Sequence, residues 1–313
     1  MKLKGAGAGA TIIKSPATLT PYAVDAFTGT PLTAIVRVAH GAQVQILGLT
    51  VSGPVPCGFS GGVVAVQSAT LELTQARVTD IQPATACSSA TGRSVQFGLG
   101  DRAIIDGVHG SNANGRVTNV VIDGFLSAGL VAVASFSGPP TSVTFADNVI
   151  TAGVPLLPTE QLGIVIFLNA AAKVTGNTIS GGVCTIPGCG RDPITEFQSM
   201  GIVVGPGGDG SSFSDNHISG ADVGIYQVFG PHCCTISGNT LTDNRYFGIV
   251  IQDGDGTTDQ NTIIGGEVGI AVVADGEDTT GILRGDKIKG TSVMPVQEID
   301  CCGFKATAIV LKN

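Results

Sequence analysis

The sequence predicts an all-β fold, a parallel β-helix of about ten to twelve coils, and three observations carry that prediction. An Asn-x-(Ile/Leu) step recurs at Asn216, Asn239 and Asn261, at spacings of 23 and 22 residues. Eight or nine residues after each Asn comes Gly-Ile, at Gly224-Ile225, Gly248-Ile249 and Gly269-Ile270. Between these marks, short segments alternate apolar and polar residues with period two, and helical periodicity is missing. A solenoid adds coils without widening its core, so all 313 residues fit one continuous domain. The composition agrees: 46 Gly, 13% charged residues and no Trp suit narrow, tightly turned layers better than aromatic-rich helices.

Taken in order, the chain opens with Leu3-Lys4-Gly5-Ala6-Gly7-Ala8-Gly9-Ala10-Thr11-Ile12-Ile13, a Gly-rich turn running into a β-branched strand. Its glycines lack the spacing of a phosphate-binding loop, and no helix pattern follows them. Strands then follow at Ala34-Ile35-Val36-Arg37-Val38, Val44 to Val51, Val63 to Val66 and Leu71 to Thr74. Loop insertions are expected near 53–62, 83–115 and 181–200, where the repeat blurs, and loops are where solenoids keep specificity. From Val117 onward, Asn148, Asn177, Asn216 and Asn239 mark one corner. Gly129, Gly163, Gly201, Gly224, Gly248 and Gly269 open another strand, and these glycines are expected to permit a sharp or left-handed corner. A repeated Asn would stack amides so that each donates to the next and satisfies corner backbone groups. The Asn column therefore reads as structure, not catalysis.

The net charge of −8 and the lack of a clustered Lys/Arg run argue against nucleic acid as a partner. The longest charge-free run, Gly124 to Ala146, contains Pro139-Pro140 and reads as no membrane span. The segment after Met1-Lys2-Leu3-Lys4 has no apolar region to make a signal peptide, so the chain reads as a mature or trimmed form. Eight cysteines favour an oxidised, exported protein, secreted or periplasmic. Cys57 with Cys87 and Cys184 with Cys189 suit local disulfides. For Cys233, Cys234, Cys301 and Cys302 the pairing stays open. Strand layers about 4.8 Å apart would separate the two pairs by about 14 Å, so bridging them needs a tail that folds back. A metal site with His232 competes, but no C-x-x-C pair supports it.

The opening Leu3 to Ile13 stretch, the Gly-Asn-Thr-(Ile/Leu) corners and the Gly-Ile-x-Val strands together resemble the right-handed parallel β-helix proteins of the pectate-lyase-like superfamily, including the NosD-like periplasmic group. The likeness covers most of the chain and specifies architecture, not chemistry. It implies polysaccharide lyases, polygalacturonase-type hydrolases, epimerases or exported proteins without assigned activity. Relatives of this kind often carry a further coil before the Leu-x-Gly-Ala-Gly turn, which would have this chain start inside the helix.

In such a helix the outward residues of the Gly-Ile-x-Val strands are Val131, Val165, Val203, Tyr226, Val250 and Ala271. That mostly apolar column favours a subunit interface, hence a homo-oligomer, or an apolar ligand. Tyr226, His232, Arg245, Tyr246, Asp253 and Asp255 make the best polar cluster for catalysis. The acidic turns at Asp209, Asp253 to Asp259 and Asp275 to Asp278 offer carboxylates for glycosidic acid–base work. Asp253, Asp255 and Asp259 would be the ligands of a Ca²⁺, although no cofactor is obligatory, and Asp and Gly are also simply good turn formers. The resemblance asks for an Arg or Lys base beside such acids if the chain is a lyase; Arg245 is best placed and Arg191 is a weaker candidate. The readings are a carbohydrate-active enzyme acting on an acidic or neutral polysaccharide and, alternatively, a non-catalytic extracellular scaffold or adhesion module associating through the apolar face. A third is ice binding through the Thr178, Thr240 and Thr262 column, which His217 interrupts.

Overall fold

The computed structural model describes the chain except residues 26–28, 86–89, 99–102, 106–107, 110–111, 136–138, 156, 230–232 and 312–313. Three long sheets of 11, 13 and 10 strands run along the molecule. Almost every pairing joins a strand to its equivalent one coil away, in parallel. This is the right-handed parallel β-helix that the repeat predicts. The antiparallel exceptions lie at one end of the 13-stranded sheet, where Ala23–Asp25 and Ala103–Ile105 pair beside Pro31–Val38.

The core is a set of aliphatic stacks. On the 13-stranded sheet Val36, Val63, Val95, Leu130, Ile164, Ile202, Ile225, Ile249, Ile270 and Val296 sit in one inward register. Most are wholly buried, so each coil removes its aliphatic face from water only by lying on the next.

The Asn column forms as expected. Nδ2 of Asn148, Asn177, Asn216 and Asn239 each donates to Oδ1 of the next Asn at 2.9 Å. The same Oδ1 atoms accept the preceding coil's backbone N–H at 2.9 to 3.0 Å. Asp286 ends the ladder by accepting both donors of Asn261. The left-handed corner is not at the Gly of Gly-Ile, where the sequence predicts it, but at the Asn corner. Asp147, Gly176, Asp215, Gly238 and Gln260, each just before a ladder Asn, have φ between 54° and 67°. The Gly of Gly-Ile is needed for room instead: a Cβ on Gly248 would lie 2.6 Å from both Gly269 O and Ile263 Cγ2.

Cys184 pairs with Cys189 as expected, and the pairing that the sequence leaves open is Cys233 with Cys234 and Cys301 with Cys302. Cys57 is disulfide-bonded, and Cys87 lies outside the described residues.

Candidate functional site

The outward column of the 13-stranded sheet has the register expected of it. Val131, Val165, Val203, Tyr226, Val250 and Ala271 are successive partners. Its environment is not the expected one. Val131, Val203, Tyr226, Val250 and Ala271 are all buried, in part by the chain's own insertion between Cys184 and Ser199. Ile194 of that insertion packs on the cluster of Val203, Tyr226, Tyr246, Phe247 and Val250. The column is therefore spent inside the protein and is not the free face that a homo-oligomer or scaffold would use.

Local chemistry shapes this lid. Asp192 Oδ1 accepts the Ile194 N–H and Oδ2 accepts the Thr195 hydroxyl, while Glu196 closes the turn by accepting the Asp192 N–H. Those bonds hold the Asp192 carboxyl below its ordinary pKa, the Ile194 N–H contributing most. Two anchors fix the lid over the sheet: the Tyr226 hydroxyl donates to Pro193 O at 3.0 Å, and Arg191 pairs with Glu267 at 2.9 Å. A third fixes its roots. Oδ2 of the buried Asp222 accepts the N–H groups of both Cys184 and Ser199, at 2.8 and 3.0 Å.

At the edge of the lid lies the polar cluster. Arg245 stacks on Tyr246, with Cζ 4.7 Å from the ring centroid, and its guanidinium stands 3.8 Å from Asp222 Oδ1. That Asp222 oxygen is buried and makes no hydrogen bond. Arg245 is 56% exposed, so it offers most of its donors to solvent. Burial raises the Tyr246 pKa; the Arg245 charge opposes the rise, and Asp222, Glu267 and Glu196 add to it. The Tyr246 phenol is thus protonated at neutral pH and is a donor, not a base.

The other expected residues divide. Tyr226 lies under the lid with its phenol bonded to Pro193 and Gln252, and burial raises its pKa. Asp253 does not join the surface cluster: it is wholly buried, and its Oδ1 accepts the N–H groups of Asp275 and Gly276 at 2.7 and 2.8 Å. A carboxylate so engaged pins the next coil's turn and cannot reach a substrate. Asp255 is exposed, its carbonyl accepting from Gln227, and Asp259 lies in the 11-stranded sheet opposite Ser237 and Arg284. Asp253, Asp255 and Asp259 are therefore not gathered as one Ca²⁺ site; among the described residues, the side chains close enough together to hold a metal ion are Asp275, Cys301 and Cys302. His232 lies outside the described residues. Asp209 lines a shallow cavity with Pro140, Asn169, Ala170, Ala171 and Gly207. Thr178, His217, Thr240 and Thr262 do align on the 10-stranded sheet, with His217 breaking the column.

Sequence reasoning missed Asp222, Glu196, Glu267 and Gln252. Asp222 reads as one more corner residue before Gly224-Ile225, and nothing local reveals that an insertion more than 20 residues upstream is tied to it.

Residues 106–282 match the right handed beta helix region, more than half of the chain. The chain belongs to this β-helix family. As a β-helix protein it is also similar in fold to the GH136 lacto-N-biosidase of Eubacterium ramulus, with 12% identity and a TM-score of 0.50. That likeness covers 95% of this chain, which spans 57% of the biosidase chain. The A-module of the Azotobacter vinelandii mannuronan C-5 epimerase AlgE6 gives 16% identity and a TM-score of 0.49, covering all of this chain and 83% of the module. Comparison with curated proteins finds no match. Among the described residues no helix is long and apolar enough to cross a membrane.

Proposed function

We propose that this β-helix protein is exported and carbohydrate-active, taking an acidic or neutral polysaccharide at the edge of the lid. The single observation that carries the reading is the Arg245–Tyr246 stack beside the buried, unbonded Asp222 oxygen. A mostly exposed guanidinium presents a planar fork of donors suited to sugar hydroxyls and to uronate carboxylates. Tyr246, kept protonated, can donate to a glycosidic oxygen, and Glu196, Glu267 and Arg191 supply charge nearby. The acid–base reading thus moves from Asp253 to Tyr246. Asp255 lies past the opposite end of strand Phe247–Gln252 from Tyr246, about 20 Å away at strand rise, and is not its partner in this reading.

The test is a panel of acidic and neutral polysaccharides, scored for binding and for new reducing ends or unsaturated sugar ends. One member is expected to bind, with Arg245→Ala weakening binding about tenfold or more, the cost of a lost charge-assisted hydrogen bond. Tyr246→Phe is expected to lower turnover about a hundredfold with binding little changed, on the scale of general acid catalysis. Equal binding and turnover in both variants would remove these assignments.

A further inference from the structure

Cys301, Cys302 and Asp275 lie on adjoining turns near the far end of the 13-stranded sheet. Ala274 and Asp300, the residues just before Asp275 and Cys301, are register partners on neighbouring coils at this edge, and the Cys301 N–H donates to Ala274 O at 2.8 Å. One oxygen or sulfur from each of Asp275, Cys301 and Cys302 falls within 4.8 Å of the others, and Cys302 is exposed. Two further features prepare the group for a ligand. Asp253 accepts the Asp275 and Gly276 N–H groups and so fixes the turn that carries the carboxylate. Cys302 Sγ already stands 3.6 Å from Asp275 Oδ1. A tetrahedral ion with arms of about 2.3 Å to sulfur and about 2.0 Å to oxygen sets those two atoms about 3.5 Å apart. The pair is therefore at the edge length of a coordination tetrahedron before any ion arrives.

We propose that Cys301, Cys302 and Asp275 form a redox-gated site for a thiophilic divalent cation such as Zn²⁺ or Cd²⁺. With the Cys301–Cys302 disulfide closed, neither sulfur is a thiolate and the site is shut. A dithiol opens it: the S–S bond accepts two electrons and two protons, and the dithiol closes to its own disulfide. The cation then displaces the two thiol protons, and the carboxylate is the third ligand. Two thiolates and one carboxylate suit Zn²⁺ or Cd²⁺ better than Ca²⁺ or Mg²⁺, and three protein ligands leave a fourth position to water. This site differs in ligands and place from the Arg245–Tyr246 edge, so it stands or falls independently of the carbohydrate reading.

The experiment titrates Cd²⁺ into the whole chain before and after dithiothreitol treatment and removal. Thiolate charge-transfer absorbance is followed, with circular dichroism to confirm that the fold persists. Reduced protein is expected to gain a Cd²⁺ equivalent that the oxidised protein lacks. Cys301→Ser and Cys302→Ser should each abolish it. Asp275→Asn should weaken it by about tenfold or more, the scale on which altering even an outer-shell partner weakens a metal site, while Cys233→Ser leaves it unchanged. The proposal is overturned if the pair stays closed under dithiothreitol, if the extra equivalent survives in Cys301→Ser, or if Asp275→Asn binds as tightly as the parent chain.

Discussion

Replacing Asn216 by Ala removes a side chain that works on two coils at once. Its Oδ1 accepts the backbone N–H and Nδ2 of Asn177 at 3.0 and 2.9 Å; its Nδ2 donates to Val174 O and Asn239 Oδ1 at 3.1 and 2.9 Å. Loss of the side chain leaves the Asn177 N–H buried with no acceptor, a cost of about 1 to 3 kcal/mol. Asn177 Nδ2 still has Phe145 O and Thr175 O, and Asn239 Oδ1 still has the Asn216 N–H. The three weakened partners therefore add only about 0.5 to 1 kcal/mol each, for a total of about 2.5 to 6 kcal/mol. Urea unfolding followed by far-ultraviolet circular dichroism measures this against Thr240→Ala in the Thr column of the 10-stranded sheet, which should stay within about 0.5 kcal/mol of the parent. A loss under about 1 kcal/mol in Asn216→Ala would refute the ladder as the frame of the coil.

The lid and its pH response give two more expectations. Asp222→Ala orphans the N–H groups of Cys184 and Ser199, so hydrogen exchange at those two amides should rise about thirtyfold or more, for a local loss of about 2 kcal/mol; unchanged exchange would dismiss Asp222 as the clasp. Because the folded-state pKa of Asp192 is lowered, its stabilisation of the lid turn is complete above the ordinary value of 3.8 and is lost as pH falls through the lower folded value. Amide chemical shifts of Ile194 and Thr195 should therefore move only below about pH 4, and Asp192→Asn should abolish the movement.

Much of the frame was legible in the sequence because it is periodic. The Asn ladder and the inward Ile/Val stacks each repeat one chemical requirement per coil, so the residues at Asn177, Asn216, Asn239 and Asn261 state their own role. The outward column was legible for the same reason, but what covers it was not. The cover is an aperiodic insertion, and its contacts with Tyr226, Asp222 and Glu267 join residues 23 to 76 positions apart. Asp253 misled for a related cause: an Asp beside Gly reads as a solvated turn, whereas its carboxylate is consumed by the backbone of the next coil. Arg245 and Tyr246 stand out in the sequence because the repeat assigns them no structural duty, and the structure stacks them against each other beside Asp222.

The most direct test is a crystal structure of the chain soaked with the oligosaccharide that emerges from the polysaccharide panel. The lid-edge assignment predicts sugar within hydrogen-bond distance of the Arg245 guanidinium and the Tyr246 hydroxyl, with the Cys184–Ser199 lid beside it. Sugar bound elsewhere on the helix, with Arg245 and Tyr246 untouched, would contradict it.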